Sequence, residues 1–343
     1  MELGIGMFGD LSFDLATGKP RSAKLKLQEI LEQIKLADEV GLDVFGLGEH
    51  HRPDYAVSSP EIVLAAAASI TKNIKLTSTV TVLSSAEPVK VYQDFSTIDL
   101  ISNGRAEIAV GRGSFIESFP LFGYNLKDYD QLFEEKLDLL LNINNNEVVN
   151  WKGQLRAPLI NQTVLPRATN NGQLPIWIAV GGTPASVLRA AVLGLPLIVA
   201  IIGGMPEQFQ PLIEYYKEAY LANGHDASKM QIGIHSHSFI SNDKAITDEY
   251  YYNYASQMDR IGSTRGWAPY TKMQYNGGRS KDGALFIGDA KEVTDKILYM
   301  HELFGITRFI GHMDVGDPSH ATMMKSIEIF GKEIAPAVRK AIL

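Results

Sequence analysis

The chain has 343 residues and no cysteine. That absence removes disulfides, thiolate nucleophiles, iron–sulfur ligation and cysteine-based zinc sites together, and it agrees with a cytoplasmic location. Long apolar runs are also missing. The most hydrophobic passage, AAVLGLPLIVAIIGGMP at 190–206, is broken by Gly194 and Pro196, and its clean part is too short to cross a bilayer. It reads as a buried strand, and no membrane partner is expected. Concentrated positive charge is lacking as well: the formal charge is −7 and Lys and Arg are scattered, which argues against nucleic acid. The start, MELGIGMFGD, has an acid at position 2 and no basic segment, so no signal peptide is expected. Neither G-x-G-x-x-G after a strand nor G-x-x-x-x-G-K-[ST] occurs, so a Rossmann or P-loop nucleotide site is unsupported. At 45% hydrophobic and 21% charged residues, the composition is that of an ordinary globular protein. No Pro-, Ser- or charge-rich linker divides it, and one domain over residues 1–343 is expected.

Eight short β-branched or apolar runs recur: 3–8, 44–48, 75–83, 106–111, 175–180, 196–202, 231–240 and 307–315. Segments with apolar residues at i, i+3, i+4 and i+7 alternate with them, at 25–40, 60–70, 88–102, 128–143, 184–194, 207–224 and 292–305. Glycines 41, 194, 224 and 305 stand where helix C-caps favour them. The alternation and its spacing predict an α/β (β/α)₈ TIM barrel. Two longer intervals, 144–174 after strand four and 241–285 after strand seven, predict insertions.

In such a barrel the active site lies where the strands end, so the residues there are the candidates. Strand two ends in Glu49, His50 and His51; consecutive on an extended backbone, the two imidazoles should face opposite ways. Strand three carries Thr79, Val80, Thr81 and Ser84. Strand four ends in Gly111, Arg112 and Gly113, strand five in Gly181, Gly182 and Thr183, and strand six in Gly203 and Gly204. On strand seven, Ile232 and Ile234 share one face and His235 and His237 the other; the apolar face packs on helices, which turns the histidines inward. His312 and Asp314 share parity on strand eight. Arg112 between two glycines, with GGTPAS at 181–186 opening a helix, outlines an anion site suited to phosphate. The H-x-H of strand seven would also suit a zinc hydrolase, but strand one, GIGMFGD, supplies no histidine, and no metal is expected.

EHH after strand two, VLSSAEPVKVYQDFSTIDLISNGRAEIAVGRGS at 82–114, PIWIAVGGTPASVLRAAVLGLPL at 175–197 and GALFIGDAKEVTDKI at 283–297 together closely resemble the bacterial luciferase-like flavin-dependent oxidoreductases, in their non-luminescent branch. The resemblance implies a cytoplasmic flavoprotein enzyme that binds FMN, or less often the deazaflavin F420, at the carboxyl mouth. It assigns His50 to chemistry at the flavin and Arg112, Gly181, Gly182 and Thr183 to the phosphate. It also places Thr79 and Val80, a pair often joined by a cis peptide, against the isoalloxazine. Gly111, Gly203 and Gly204 join the cofactor-binding set, and Glu49, His235 and His237 line the substrate side. Luciferases carry a reactive cysteine where this chain has Gly111, so light emission is not expected. The implied activity is a two-component monooxygenase that takes reduced flavin from a separate NAD(P)H:flavin reductase and transfers one oxygen of O₂ to a small organic substrate. F420-dependent hydride transfer, or flavin binding without turnover, are the alternatives. Homodimerisation through helices near strands two and three is implied too, and the arm at 241–285, with Trp267, Tyr270 and Tyr275, would close over the site.

Overall fold

The computed structural model describes every residue except Leu15. Eight parallel strands close a barrel, and helices cover it. In chain order the barrel elements are β1 (Glu2–Met7), α1 (Ala23–Glu39), β2 (Val44–Leu47), α2 (Pro60–Ile70), β3 (Lys75–Ser78), α3 (Pro88–Ser102), β4 (Ala106–Gly111) and α4 (Tyr129–Asn145). They continue with β5 (Ile176–Val180), α5 (Pro184–Val192), β6 (Leu197–Ala200), α6 (Gln210–Ala222), β7 (Ile232–Ile240), α7 (Ala290–Phe304), β8 (Arg308–His312) and α8 (His320–Ile329). Pairing of β6 with β7, of β7 with β8, and of β8 with β1 shuts the ring. The (β/α)₈ expectation is met.

The helices start and stop for local reasons. Ser22 accepts from the Leu25 amide at the head of α1, Asp289 and Glu292 form a reciprocal capping box on α7, and Gly305 takes φ 68° to end α7. Their apolar stripes pack on the outward strand residues, so that Ile108 and Val110 join the main core while Ala109, between them, faces the barrel interior with Val44, Trp177, Ile198 and Ile310.

Three features refine the sequence expectation. The run 75–83 is not one strand: Lys75–Ser78 and Thr81–Val82 are separated by a cis Thr79–Val80 peptide. The insertion at 144–174 holds an antiparallel hairpin, Val148–Trp151 with Leu159–Thr163. The arm at 241–285 is mostly helical, with helices at Lys244–Glu249, Tyr251–Ser263 and Lys272–Arg279. In addition α8 and a following helix, Ala335–Ala341, lie beyond the seven helical segments that periodicity marked.

The N-terminal end of the barrel is plugged by charge. Arg308, 1% exposed, donates to Glu107 at 2.6 and 3.1 Å and to Glu2 at 2.7 Å, and lies 4.1 Å over the Trp177 ring. Lys75 bridges the same two acids. Burying a guanidinium is tolerable only because every donor direction meets a carboxylate or a ring. Arg308→Met, which leaves the buried Glu107 with Lys75 as its remaining charged partner, is expected to cost about 3–5 kcal/mol. The double variant Arg308→Met/Glu107→Leu should recover most of the loss, as read by urea unfolding; equal losses in both would contradict this account.

Candidate functional site

Above the plug the barrel interior opens into a cavity of about 440 Å³. Its wall brings together, from separate strand ends, most of the residues singled out from sequence: Glu49, His50, Thr79, Val80, Gly111, Arg112, Gly181, Thr183, His235 and His237. Gly182 lies in the same turn, with φ 122°. His51 lines the cavity as well as His50, contrary to the opposite-face expectation, because β2 ends at Leu47 and residues 48–51 are no longer extended strand. The two imidazoles nevertheless differ. His51 Nε2 is 2.8 Å from Glu49 Oε1, and the other Glu49 oxygen accepts from the Val82 amide at 2.9 Å. His50 has no such partner: its Nε2 is buried and unbonded, and its ring lies 4.6 Å from Phe8, 4.2 Å from Tyr55 and 4.9 Å from Phe115.

Phe8, which follows β1, is the hub of the histidines. Its ring sits edge-on to His50, to His235 at 6.0 Å and to His312 at 4.0 Å. His235 Nε2 and His312 Nδ1 are also buried without partners, whereas His237 Nδ1 is 2.8 Å from the Tyr254 hydroxyl. Removing these rings from water disfavours their charged forms. Burial, helped by Arg52 and His51, pushes His50 down to about 3; burial alone pushes His235 down to about 4; burial with His235 pushes His237 down to about 3. The cluster is therefore neutral at physiological pH.

The other end of the cavity is polar. Arg112 donates to Asp130 at 2.6 Å and to the Thr183 hydroxyl at 3.3 Å, so the guanidinium and the β5–α5 turn share one pocket end. α5 starts with Pro184 and has no side-chain cap; the Ser186 and Val187 amides return to the Thr183 carbonyl, which leaves the Ala185 N–H of the first turn for an external anion, and Ser186 lines the same space. Between the two ends Val80, Ala109, Ala179 and Ile198 form an apolar stretch. Gly111 is needed here, because a Cβ would stand 2.9 Å from Val80 Cγ2.

A second chamber of about 910 Å³ adjoins the first, sharing with it Phe8, Ser114, Phe115, Ile202, His237 and His312. Gly203 and Gly204, expected among the cofactor contacts, stand on the wall of this chamber and not of the first. Trp267 and Tyr270 of the arm line it; Tyr275 does not, being fully buried within the arm with its hydroxyl on the Thr247 carbonyl. Sequence reasoning missed Phe8, Asp10, Phe115, Tyr129, Ser186 and Tyr254, all lining one chamber or the other. For Phe8 a signal existed, since it continues the inward parity of Gly4 and Gly6; for the others, in the first turns of α4 and α5, on loops or on the arm, no periodic signal exists.

Comparison with known proteins completes the picture. A model of the family described as luciferase-like monooxygenase matches residues 1–307. The uncharacterized protein y4vJ of Sinorhizobium fredii is 26% identical and covers 95% of each chain. The oxygenase component of the flavin-dependent trigonelline monooxygenase of Acinetobacter baylyi is 22% identical over 92% of this chain and 91% of its own. Among solved structures, the monooxygenase RslO1 of Streptomyces bottropensis superposes with a TM-score of 0.83 at 21% identity, covering 98% of this chain and 99% of that one. The oxygenating constituent of 3,6-diketocamphane monooxygenase of Pseudomonas putida, in complex with FMN, gives 0.75 at 20% identity and 98% of each chain. An F420-dependent secondary alcohol dehydrogenase gives 0.75 at 20% identity, over 99% of this chain and 100% of that one. At these identities the structural likeness establishes the fold. No helix among the described residues is long and apolar enough to cross a membrane.

The neutral histidines carry a pH prediction. Unfolded, each titrates near about 6.5; folded, burial holds them at about 3 to about 4. Between those limits the unfolded chain binds more protons, so the stability these groups contribute is complete above roughly pH 6.5 and is lost as pH falls toward roughly 4. Urea midpoints should fall over that window, and less steeply for His235→Phe; identical slopes for variant and wild type would refute the assignment.

Proposed function

Because the chain belongs to the luciferase-like monooxygenase family, we propose that it is an FMN-dependent monooxygenase of the two-component kind. It accepts reduced FMN from a separate NAD(P)H-dependent flavin reductase and uses O₂ to oxidise a small organic substrate. The observation that carries the reading is the convergence of Arg112 and the turn at Gly181–Gly182–Thr183 on one end of a cavity whose other end is bounded by an unpartnered His50. The relative named as an oxygenase component and the structural neighbour in complex with FMN support it.

The residues present fit the cofactor. The uncapped first turn of α5, Arg112, Thr183 and Ser186 would hold a phosphate, with Asp130 giving up part of its bond to the guanidinium. Val80, Ala109, Ala179 and Ile198 would face the ring system, and the buried, unbonded Thr79 Oγ1 offers it a polar contact. Bound reduced flavin would supply the electrons that activate O₂. His50, kept neutral by burial, would hold or move a proton at Nε2 beside the ring edge. Glu49 orients His51 rather than His50; His237, shared with the second chamber, would stand toward the substrate side, whereas Glu49 and His235 line the first cavity alone. Phe8, Phe115 and the arm would exclude bulk water. Homodimerisation is part of the proposal: Ile62 on α2 and Leu100 and Ile101 on α3 are exposed apolar side chains near β2 and β3, and sedimentation measures the outcome.

Arg112→Ala should weaken FMN about 10- to 100-fold, as expected for one charge-assisted contact, while leaving riboflavin, which has no phosphate, unchanged. Flavin fluorescence quenching reads both; equal weakening of the two would remove Arg112 from the phosphate. His50→Asn should keep FMN affinity within about two-fold yet lower substrate-dependent O₂ uptake, with reductase and NADH present, about 100-fold or more. Unchanged uptake would remove His50 from the chemistry, wild-type uptake that substrate does not raise would favour flavin binding without turnover, and the absorbance of a co-purified deazaflavin would favour the F420 reading.

A further inference from the structure

The adjoining chamber has a polar floor that the proposed flavin site does not use. Three buried carboxyls, Asp10, Asp314 and Asp317, lie around one buried ammonium, Lys26. Two of them are saturated as carboxylates. Asp314 accepts from the amides of Phe8, Gly9 and Asp10 and sits 3.3 Å from Lys26 Nζ; Asp317 accepts from Ser12, Arg21 and Lys26. Asp10 differs. Its Oδ2 accepts one bond, from the Gly316 amide at 2.9 Å, and its Oδ1 is buried, unpartnered and part of a residue that lines the chamber. A carboxylate in that position would be an uncompensated buried charge, whereas a carboxylic acid would lack only an acceptor for its O–H. Burial first, then the charges of Asp314 and Asp317, hold its carboxyl well above the usual range, against the Gly316 amide and Lys26.

His312 provides the complement. Its Nε2 is 3.4 Å from Asp314 Oδ1, which favours the proton on that nitrogen and leaves Nδ1, buried and unpartnered, as a bare acceptor. We propose that Asp10 and His312, each with an unpartnered buried atom on the wall of this chamber, together bind the hydroxyl group of an uncharged, ring-bearing apolar substrate. A hydroxyl oxygen accepts from Asp10 and donates to His312 Nδ1. A ketone leaves the imidazole unmet, and an organic anion finds the cations of this floor, Lys26 and Arg21, already paired with Asp314 and Asp317. The rest of the chamber suits a flat apolar body, with walls from Tyr55, Phe115, Tyr254, Trp267, Tyr270 and Leu285 and a volume of about 910 Å³. A metal ion is the rival occupant, since one ligand atom each of Asp10, His312 and Asp314 lie within 4.8 Å. Lys26 and three backbone amides already meet the Asp314 charge, so no cation is needed there.

The assignment rests on the second chamber being the substrate side of the proposed monooxygenase, and its test is separable from the flavin. Calorimetric titration of the full chain with 1-naphthol and with 1-methylnaphthalene, which lacks the hydroxyl, should show about a ten-fold preference for the naphthol. Asp10→Ala and His312→Phe should each abolish that preference, and Asp10→Asn, a neutral donor of the same shape, should retain it within about three-fold. Infrared spectra of the protein labelled with ¹³C-carboxyl aspartate should show a protonated carboxyl at neutral pH that Asp10→Asn lacks, a readout independent of how Asp10→Ala folds. Equal affinity for the two probes, a preference that survives Asp10→Ala, an ionised Asp10 or a stoichiometric divalent metal would each overturn it. FMN affinity, read by fluorescence in Asp10→Asn, whose side chain lines only the second chamber, should not move; wild-type protein that binds the naphthol selectively but not FMN would sink the flavin reading alone.

Discussion

One buried carboxylate organises both chambers. Asp314, just past β8, accepts from three consecutive backbone amides, Phe8 at 3.0 Å, Gly9 at 2.8 Å and Asp10 at 3.2 Å, and so ties the exit of β1 to the exit of β8. Lys26, reaching in from α1, balances its charge. A desolvated carboxylate would be costly alone; here three N–H groups and an ammonium compensate it, and in exchange the chain after β1 has one place to go. That place puts the Phe8 ring among His50, His235 and His312 and the Asp10 carboxyl on the chamber floor.

The barrel interior divides into two zones with opposite needs. At the N-terminal end Arg308, Glu107, Glu2, Lys75 and Trp177 fill the space with compensated charge and a large ring. Farther up, inward positions are small: Gly46 stands where a Cβ would collide with Thr79, and Gly111 where one would crowd Val80. Large residues below close the barrel and glycines above hold it open, so stability and the cavity are assigned to different layers of the same strands. Among the buried polar atoms without partners, those of His50, Thr79, His235 and His312 stand in the open zone, where a ligand can meet them.

The arm after β7 shapes the second chamber and is held from two sides. Tyr254, on the Tyr251–Ser263 helix, meets His237 of β7, joining the arm to the barrel interior. On the outer side Lys296 of α7 donates to the carbonyls of Leu285 at 2.6 Å, Ser280 at 2.8 Å and Gly278 at 3.3 Å, fixing the loop that forms the far wall. The chamber is thus built by an insertion but anchored on barrel elements, which lets its lining vary without disturbing the first cavity.

The barrel was legible from the chain because eight strand periods alternate with seven helical ones, and burial of one strand face on helices leaves only one direction for the other. That logic correctly turned His235 and His237 inward, and the chemistry of a guanidinium beside a glycine-rich helix start correctly paired Arg112 with the turn at 181–183. Periodicity ends where the strands do. Whether His50 or His51 took Glu49 as partner, the placement of Gly203 and Gly204 beside the second chamber, and the inclusion of Asp10 depended on loops whose paths are set by contacts 33 to 306 residues apart, such as Glu49 with Val82 and Asp10 with Gly316. Local sequence determined which groups would reach the rim of the barrel; only the packed structure decided which of them would be left without partners, because satisfaction of a buried polar atom depends on every neighbour at once.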